Sequence, residues 1–221
     1  MDILSKIKYS TEKYSENNAF FISNVFYTYF DLAVVISKIR KSIQLRIDDT
    51  EQIIGLIAND DLETYSSIIA LWLEGKAYVP LSHDSPIDRN ENIISQANIK
   101  TVLDSSQKFI SNELQIINTK NLLETTIDLA PKKILKSKLA YLLFTSGSTG
   151  IPKGVPISRI NLSAIINALD SLKLNINEND RCLQMSELTF DVSITSFLYP
   201  LIKGACVYTG PRGVVKFTYV Y

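Results

Sequence analysis

Three of the eight glycines in this 221-residue chain fall between Gly147 and Gly154, and no other feature constrains the fold as strongly. Eight is about half the usual share for a chain of this size, so the clustering is not a by-product of abundance. The segment Thr145-Ser146-Gly147-Ser148-Thr149-Gly150-Ile151-Pro152-Lys153-Gly154 directly follows Leu139 to Phe144. That preceding run is short and almost wholly apolar, the signature of a strand buried on both faces of a parallel sheet. A phosphate cradle needs glycines that let backbone N–H groups approach an anion, hydroxyls that donate further or ligate Mg²⁺, and a lysine for charge. All three occur here within ten residues.

The segment is not a Walker A loop, which requires Gly, four residues, then Gly-Lys-Ser/Thr. Counted from Gly147, the fifth following position is Pro152, and Lys153 is succeeded by Gly154. A dinucleotide GxGxxG fails as well, and a plain Ser/Thr/Gly surface turn is the alternative reading of the string by itself.

The rest of the chain predicts alternating helices and strands. Ile3 to Tyr14 has amphipathic helical spacing. Phe20-Phe21-Ile22 and Val25 to Tyr29 are strand-like, with Ser23-Asn24 between them as a hairpin signal. Helical spacing returns from Phe30 to Ile43. Ile53 to Ile57 reads as a buried strand, and Asn59-Asp60-Asp61 offers caps for a helix that runs to Glu74 and stops at Gly75. Ala77 to Leu81, a helix from Ile87 to Ala97 and the strand Thr101 to Leu103 follow. Pro131 to Lys138 is a lysine-rich connector, read as a solvated loop. Such alternation with short joins predicts an α/β fold of mainly parallel sheets flanked by helices.

Composition narrows the function classes. Twenty-three Lys and Arg balance twenty-three Asp and Glu, against a nucleic-acid or anionic-membrane binder. The single histidine, His83, is read as an exposed loop residue rather than a catalytic base. Cys182 and Cys206 fall in predicted strands without metal-ligand spacing, so inert buried thiols are expected and zinc is not. The longest apolar runs, Ile68 to Leu73 and Leu139 to Phe144, are far too short for a membrane span. With no leader-like N-terminus and no disulfide pattern, a cytoplasmic location is expected.

Tyr141 to Val155 resembles the AMP-binding signature of adenylate-forming enzymes, the superfamily of acyl-CoA synthetases, luciferases, peptide-synthetase adenylation domains and D-alanine–carrier-protein ligases. Leu71-Trp72-Leu73-Glu74-Gly75-Lys76-Ala77-Tyr78-Val79-Pro80-Leu81, with Pro86 and Arg89 beyond, is similar to an upstream motif of amino-acid adenylation domains. Thr28-Tyr29-Phe30-Asp31-Leu32 resembles the first, weaker motif. The resemblance thus covers nearly the whole chain in order. It implies that residues 1–221 form a partial AMP-binding domain, the N-terminal part of the large domain, with the phosphate loop at 144–154 and the C-terminal domain absent.

The same resemblance assigns roles. Thr145, Ser146, Gly147, Ser148, Thr149, Gly150 and Lys153 would bind ATP, with Thr149 as a Mg²⁺ ligand and Lys153 beside the leaving pyrophosphate. Phe190-Asp191-Val192-Ser193 is similar to the string in which amino-acid-activating members place an aspartate against the substrate ammonium, so Asp191 would bind that group. The physical sense is clear, since a desolvated ammonium needs an ionic partner. Asp191 also reads as the cap of a helix from Val192 to Ile202, and the two roles are compatible. Tyr199-Pro200-Leu201 is closer to the D-alanine ligase branch, whereas Arg159 stands where many members carry histidine. The choice between that branch and peptide synthetases stays open.

The implied reaction is attack of an amino-acid carboxylate on the α-phosphate of ATP, followed by transfer to the pantetheine thiol of a carrier protein. No segment resembling the family's adenine, ribose or C-terminal lysine motifs is present. A truncated gene product or an excised piece with little turnover of its own is therefore expected; a non-catalytic nucleotide- or phosphate-binding remnant is the alternative.

Overall fold

In a computed structural model, residues 2–109, 111–132, 138–146 and 151–210 are described. Helix α1 (Ile3–Lys13) is capped by Asp2, whose carboxylate accepts from Leu4 N at 3.0 Å and Ser5 N at 3.2 Å. The hairpin of β1 (Asn18–Ile22) and β2 (Val25–Thr28) turns at Ser23 and Asn24, with φ of 50° and 64°. Two successive left-handed residues are what a two-residue turn needs to match strand twist. Thr28 then caps α2 (Tyr29–Arg46) through a reciprocal pair, Asp31 N donating to Thr28 Oγ1 at 3.0 Å and Thr28 N to Asp31 Oδ2 at 2.8 Å. The weak first motif is thus a capping box.

Strand β3 (Ile53–Ile57), α3 (Leu62–Leu73, capped by Asp61) and β4 (Ala77–Leu81) form the first parallel crossover, and Gly75 at φ 77° ends the helical segment. Next come α4 (Ile87–Gln96), β5 (Thr101–Asp104), β6 (Gln115–Asn118), β7 (Leu139–Ser146) and β8 (Pro152–Ser158). The described chain closes with α5 (Arg159–Ser171), β9 (Arg181–Gln184), α6 (Val192–Lys203) and β10 (Cys206–Thr209).

Two sheets result. One has the order β6-β5-β3-β4-β7-β8 and is parallel except for β8, which runs antiparallel to β7. The other has the order β2-β1-β10-β9, parallel except for the β1–β2 hairpin. Each face of the larger sheet is covered, as a parallel sheet requires. Ile54, Leu56, Tyr78, Tyr141 and Leu143 point into a large core shared with α1, α2, α3, α6 and the smaller sheet. Ile57, Val79, Leu81 and Val102 join a second cluster with Ile93 and Ala97 near α4. Helix α3 is buried at every position except Glu63, its apolar C-terminal half from Ile68 to Leu73 included.

The upstream motif around Trp72 is structural. Trp72 donates its indole N–H to the Ala140 carbonyl at 2.8 Å, tying α3 to β7. Buried Glu74 accepts from Arg40 Nε at 2.7 Å and Gln44 Nε2 at 2.8 Å, and its other oxygen lies against the Lys132 ammonium. Lys76, also buried, donates to the carbonyls of Asp48 and Glu51 at 2.8 and 2.6 Å. A buried ammonium without such acceptors would be costly.

Candidate functional site

The segment expected to form a phosphate loop lies between two strands that pair antiparallel. Strands β7 and β8 pair from Leu139↔Ser158 to Thr145↔Lys153 and Ser146↔Pro152, so the loop is anchored by ladder bonds on both sides. Gly147, Ser148, Thr149 and Gly150 lie outside the described residues, as does the side chain of Ser146. Thr145 and Lys153 face each other across the ladder, and the Thr145 hydroxyl reaches the Lys153 carbonyl at 3.5 Å. Gly154 is opposite Phe144, and a Cβ there would meet the Phe144 ring at 3.1 Å, so the glycine admits the ring over the strand.

Pleat parity decides which side of the sheet the loop serves. Side chains alternate along a strand, so Thr145 and Lys153 share the face of Leu143 and Tyr141. That is the face of the large core, toward α6, while Leu142 and Phe144 point to the α4 side. Lys153 is exposed, and no carboxylate stands within ion-pair distance of it among the described residues.

Asp191 reaches the same face from the other sheet's helix. It caps α6, accepting from Val192 N at 2.8 Å, and is exposed. Its neighbourhood is apolar: Phe190 and Val192 are more than half exposed beside it, and Met185 is partly exposed. Tyr141, in the middle of β7, is pushed up to about 12 by its burial and by the charge on Asp191. Asp191 is thus within electrostatic reach of Tyr141 on β7, the strand that carries Thr145 and pairs with Lys153 of β8.

Sequence reasoning gave no role to Arg89. From α4, its guanidinium donates to the Phe144 carbonyl at 3.1 Å, just before the loop. The bond ties α4 to the last part of β7, next to the expected loop. The only available signal was its place three residues after Pro86.

The remaining polar candidates are accounted for locally. His83 is half-buried rather than exposed and pairs with Ser106 Oγ at 2.8 Å. Both cysteines are free; burial pushes the Cys206 thiol up to about 11 and raises Cys182 as well, which keeps both protonated. No helix among the described residues is long and apolar enough to cross a membrane.

A mainly parallel sheet flanked by helices, closed at one edge by the antiparallel pair β7–β8, defines an α/β domain. The model of the family described as AMP-binding enzyme matches residues 7–218, and the chain belongs to that family. Among its relatives are peptide synthetases. Nonribosomal peptide synthetase 2 of Gibberella zeae is 30% identical over 170 residues, covering 74% of this chain and 4% of that protein. Bacitracin synthase 1 of Bacillus licheniformis is 32% identical over 152 residues, 69% of this chain and 3% of that one. The chain thus spans only a few per cent of the length of these relatives.

Solved structures agree in fold. A four-domain nonribosomal peptide synthetase, holo-AB3403 bound to AMP and glycine, superposes with a TM-score of 0.84 at 23% identity, over 97% of this chain and 16% of that one. The N-terminal subdomain of Klebsiella oxytoca NpsA, in complex with 3-hydroxyanthranilyl-AMSN, gives 0.83 at 20% identity, over 99% of this chain and 56% of that one. The fold is that of the N-terminal part of an adenylation domain of the peptide-synthetase type.

Proposed function

We propose that this chain carries the phosphate-gripping and amine-recognising part of a domain that activates an amino acid as its aminoacyl adenylate. The observation that supports this most directly is the shared face: Thr145 and Lys153 opposite each other on the ladder, Tyr141 on the same side of β7, and the charge of Asp191 acting on Tyr141. The adenylation domain AlmE of Vibrio cholerae, solved with glycyl-adenosine-5'-phosphate, superposes with a TM-score of 0.81 at 24% identity over 95% of this chain and 45% of that one. A small amino acid fits the same reading here, with transfer to a carrier-protein pantetheine thiol as the following step.

In this mechanism Asp191 pairs with the substrate ammonium and so aims the carboxylate away from it, toward the loop. One carboxylate oxygen bonds to the α-phosphorus of ATP while the bond to the bridging oxygen breaks, and pyrophosphate leaves with that electron pair. Thr145, Ser146, Ser148 and Thr149, with backbone N–H groups at Gly147 and Gly150, hold the β- and γ-phosphates. Lys153 sits where negative charge accumulates on the leaving group. Fixed donors and cations placed there lower the barrier because they need no rearrangement as charge develops. The donor types suit Mg²⁺, since the hydroxyl oxygens of Thr145, Ser146, Ser148 and Thr149 are hard ligands of the kind that ion takes. Thr149 would ligate the ion, which would neutralise phosphate charge.

Calorimetric titration with Mg-ATP tests the binding half: the wild-type chain is expected to bind, and Lys153→Ala to bind at least about tenfold more weakly. Equal affinities would remove Lys153 from the site. ATP–pyrophosphate exchange over an amino-acid panel tests the other half. Little exchange is expected from these 221 residues, and robust exchange would refute the expectation that they need the rest of a longer domain.

A further inference from the structure

A sizeable cleft lies remote from the loop. It measures about 730 Å³ and lies at the opposite end of β7, between α1, α5 and the end of α3. From Ala140 to Thr145 is about 17 Å along the strand, so the two regions are separate. The volume is that of a small-molecule site. Its wall is apolar, built by Ile3, Trp72, Ala140, Leu162 and Ile166.

Four charged residues line it as well, and their pairing is uneven. Lys6 shares the Asp170 carboxylate with Lys203, at 3.1 and 2.6 Å, and Lys132 pairs with Glu74 and Asp49. Asp2 spends its carboxylate on the first turn of α1. Arg159 is different. Its Nη2 donates to the Trp72 carbonyl at 2.7 Å, but its Nε is buried without a hydrogen-bond partner, and no carboxylate pairs with it among the described residues. Burial pulls the group down to about 10, opposed only by the charge of Asp2, so it stays cationic at neutral pH. A desolvated guanidinium facing an apolar cleft is half of an ion pair.

We propose that this cleft binds an amphiphilic monocarboxylate, its apolar body against Trp72 and Ile166 and its carboxylate on Arg159. One uncompensated positive charge suits one negative charge. A phosphate dianion would need a second free cation, and Lys6 and Lys132 are already paired. Arginine's planar fork matches a carboxylate.

Trp72 is the only tryptophan in the chain, which makes its fluorescence a reporter of occupancy. Octanoate titrated in the absence of ATP should give a saturable change. Uncharged 1-octanol, and octanoate with Arg159→Gln, should bind at least about tenfold more weakly. Ser163→Phe, which retains the guanidinium but fills the cleft from α5, should abolish the change, and it keeps the test open if Arg159→Gln does not fold. The proposal is overturned if octanoate gives no saturable signal, if octanol binds equally well, or if inorganic phosphate displaces octanoate. It is also overturned if folded Arg159→Gln or Ser163→Phe protein binds octanoate like the wild type. Because no nucleotide is present, failure here leaves the adenylation reading untouched, and the reverse holds too.

Discussion

Arg89 donates a hydrogen bond to the Phe144 carbonyl at 3.1 Å and so holds the last turn of the pleat before the phosphate loop. It reaches there from a helix on the far side of the sheet from Asp191. The end of β7 is therefore tied from one face of the sheet, while Thr145 and Lys153 point to the other.

Replacing Arg89 by Ala should leave that carbonyl unsatisfied and cost about 1–2 kcal/mol. For a chain of this size that is a fall of roughly 2–8 °C in Tm. Amide exchange should rise at residues 143–145 and 153–155 more than in β3. Arg89→Lys should recover part of the protection. Uniform loosening across the sheet would show that the arginine does not act locally.

Asp191 has two proposed duties that one substitution separates. Asn is as good a helix cap as Asp, so Asp191→Asn should change stability by less than about 0.5 kcal/mol. It removes the charge, so the Tyr141 phenol should ionise at lower pH in a spectrophotometric titration. Preference for an aminoacyl sulfamoyl-adenosine over its desamino counterpart should fall by about tenfold. Retention of that preference would assign Asp191 to capping alone.

Asp170 links three helices: it accepts from Lys203 at 2.6 Å, Tyr199 at 3.1 Å and Lys6 at 3.1 Å. Those bonds, Lys203 first, hold its carboxyl down to about 2 from an ordinary 3.8. A depressed carboxylate contributes stability that is complete above its unfolded pKa and lost as pH falls through the folded one. Stability of the wild type should therefore decline between about pH 4 and pH 2, and Asp170→Asn should flatten that part of the curve. The group is about a third exposed, so moderate salt should weaken the effect. An unchanged acid slope in the variant would discount the cluster.

Gly204 ends α6 at φ 84°, and a Cβ there would come within 2.5 Å of the Tyr14 ring. Both the backbone and the ring oppose a side chain. Gly204→Ala should cost about 1–3 kcal/mol, read as a lower denaturation midpoint at unchanged m-value. A neutral substitution would mean that Tyr14 moves aside freely.

Much of this was legible beforehand, for identifiable reasons. Strands β3, β4 and β7 announce themselves because parallel strands buried on both faces are continuous apolar runs. The Ser23-Asn24 turn and the Asp61 cap rest on local chemistry, which needs no tertiary knowledge. Strand β8 was not legible as a strand, because Pro152, Gly154 and Pro156 all argue against one. It survives because it lies at the sheet edge, where a missing N–H is tolerated. Strand β6, only Gln115–Asn118, is another edge piece too short to show a period. The functions of Glu74, Lys76 and Arg89 were hidden because their partners lie 25 or more residues away in sequence, on elements that meet only in the folded sheet.

The pairing of Thr145 with Lys153 makes the length of the connection between them a digital quantity. Residues on adjacent rungs point to opposite sides, so deleting or adding one residue between Ser146 and Pro152 without a compensating bulge would turn Lys153 toward α4 and present Pro152 or Gly154 in its place. A change of two residues would restore the side but move the lysine two rungs along. Sequence drift in this segment is thereby confined to substitution: the identities of the intervening residues can vary with their chemistry, but their number is policed by parity.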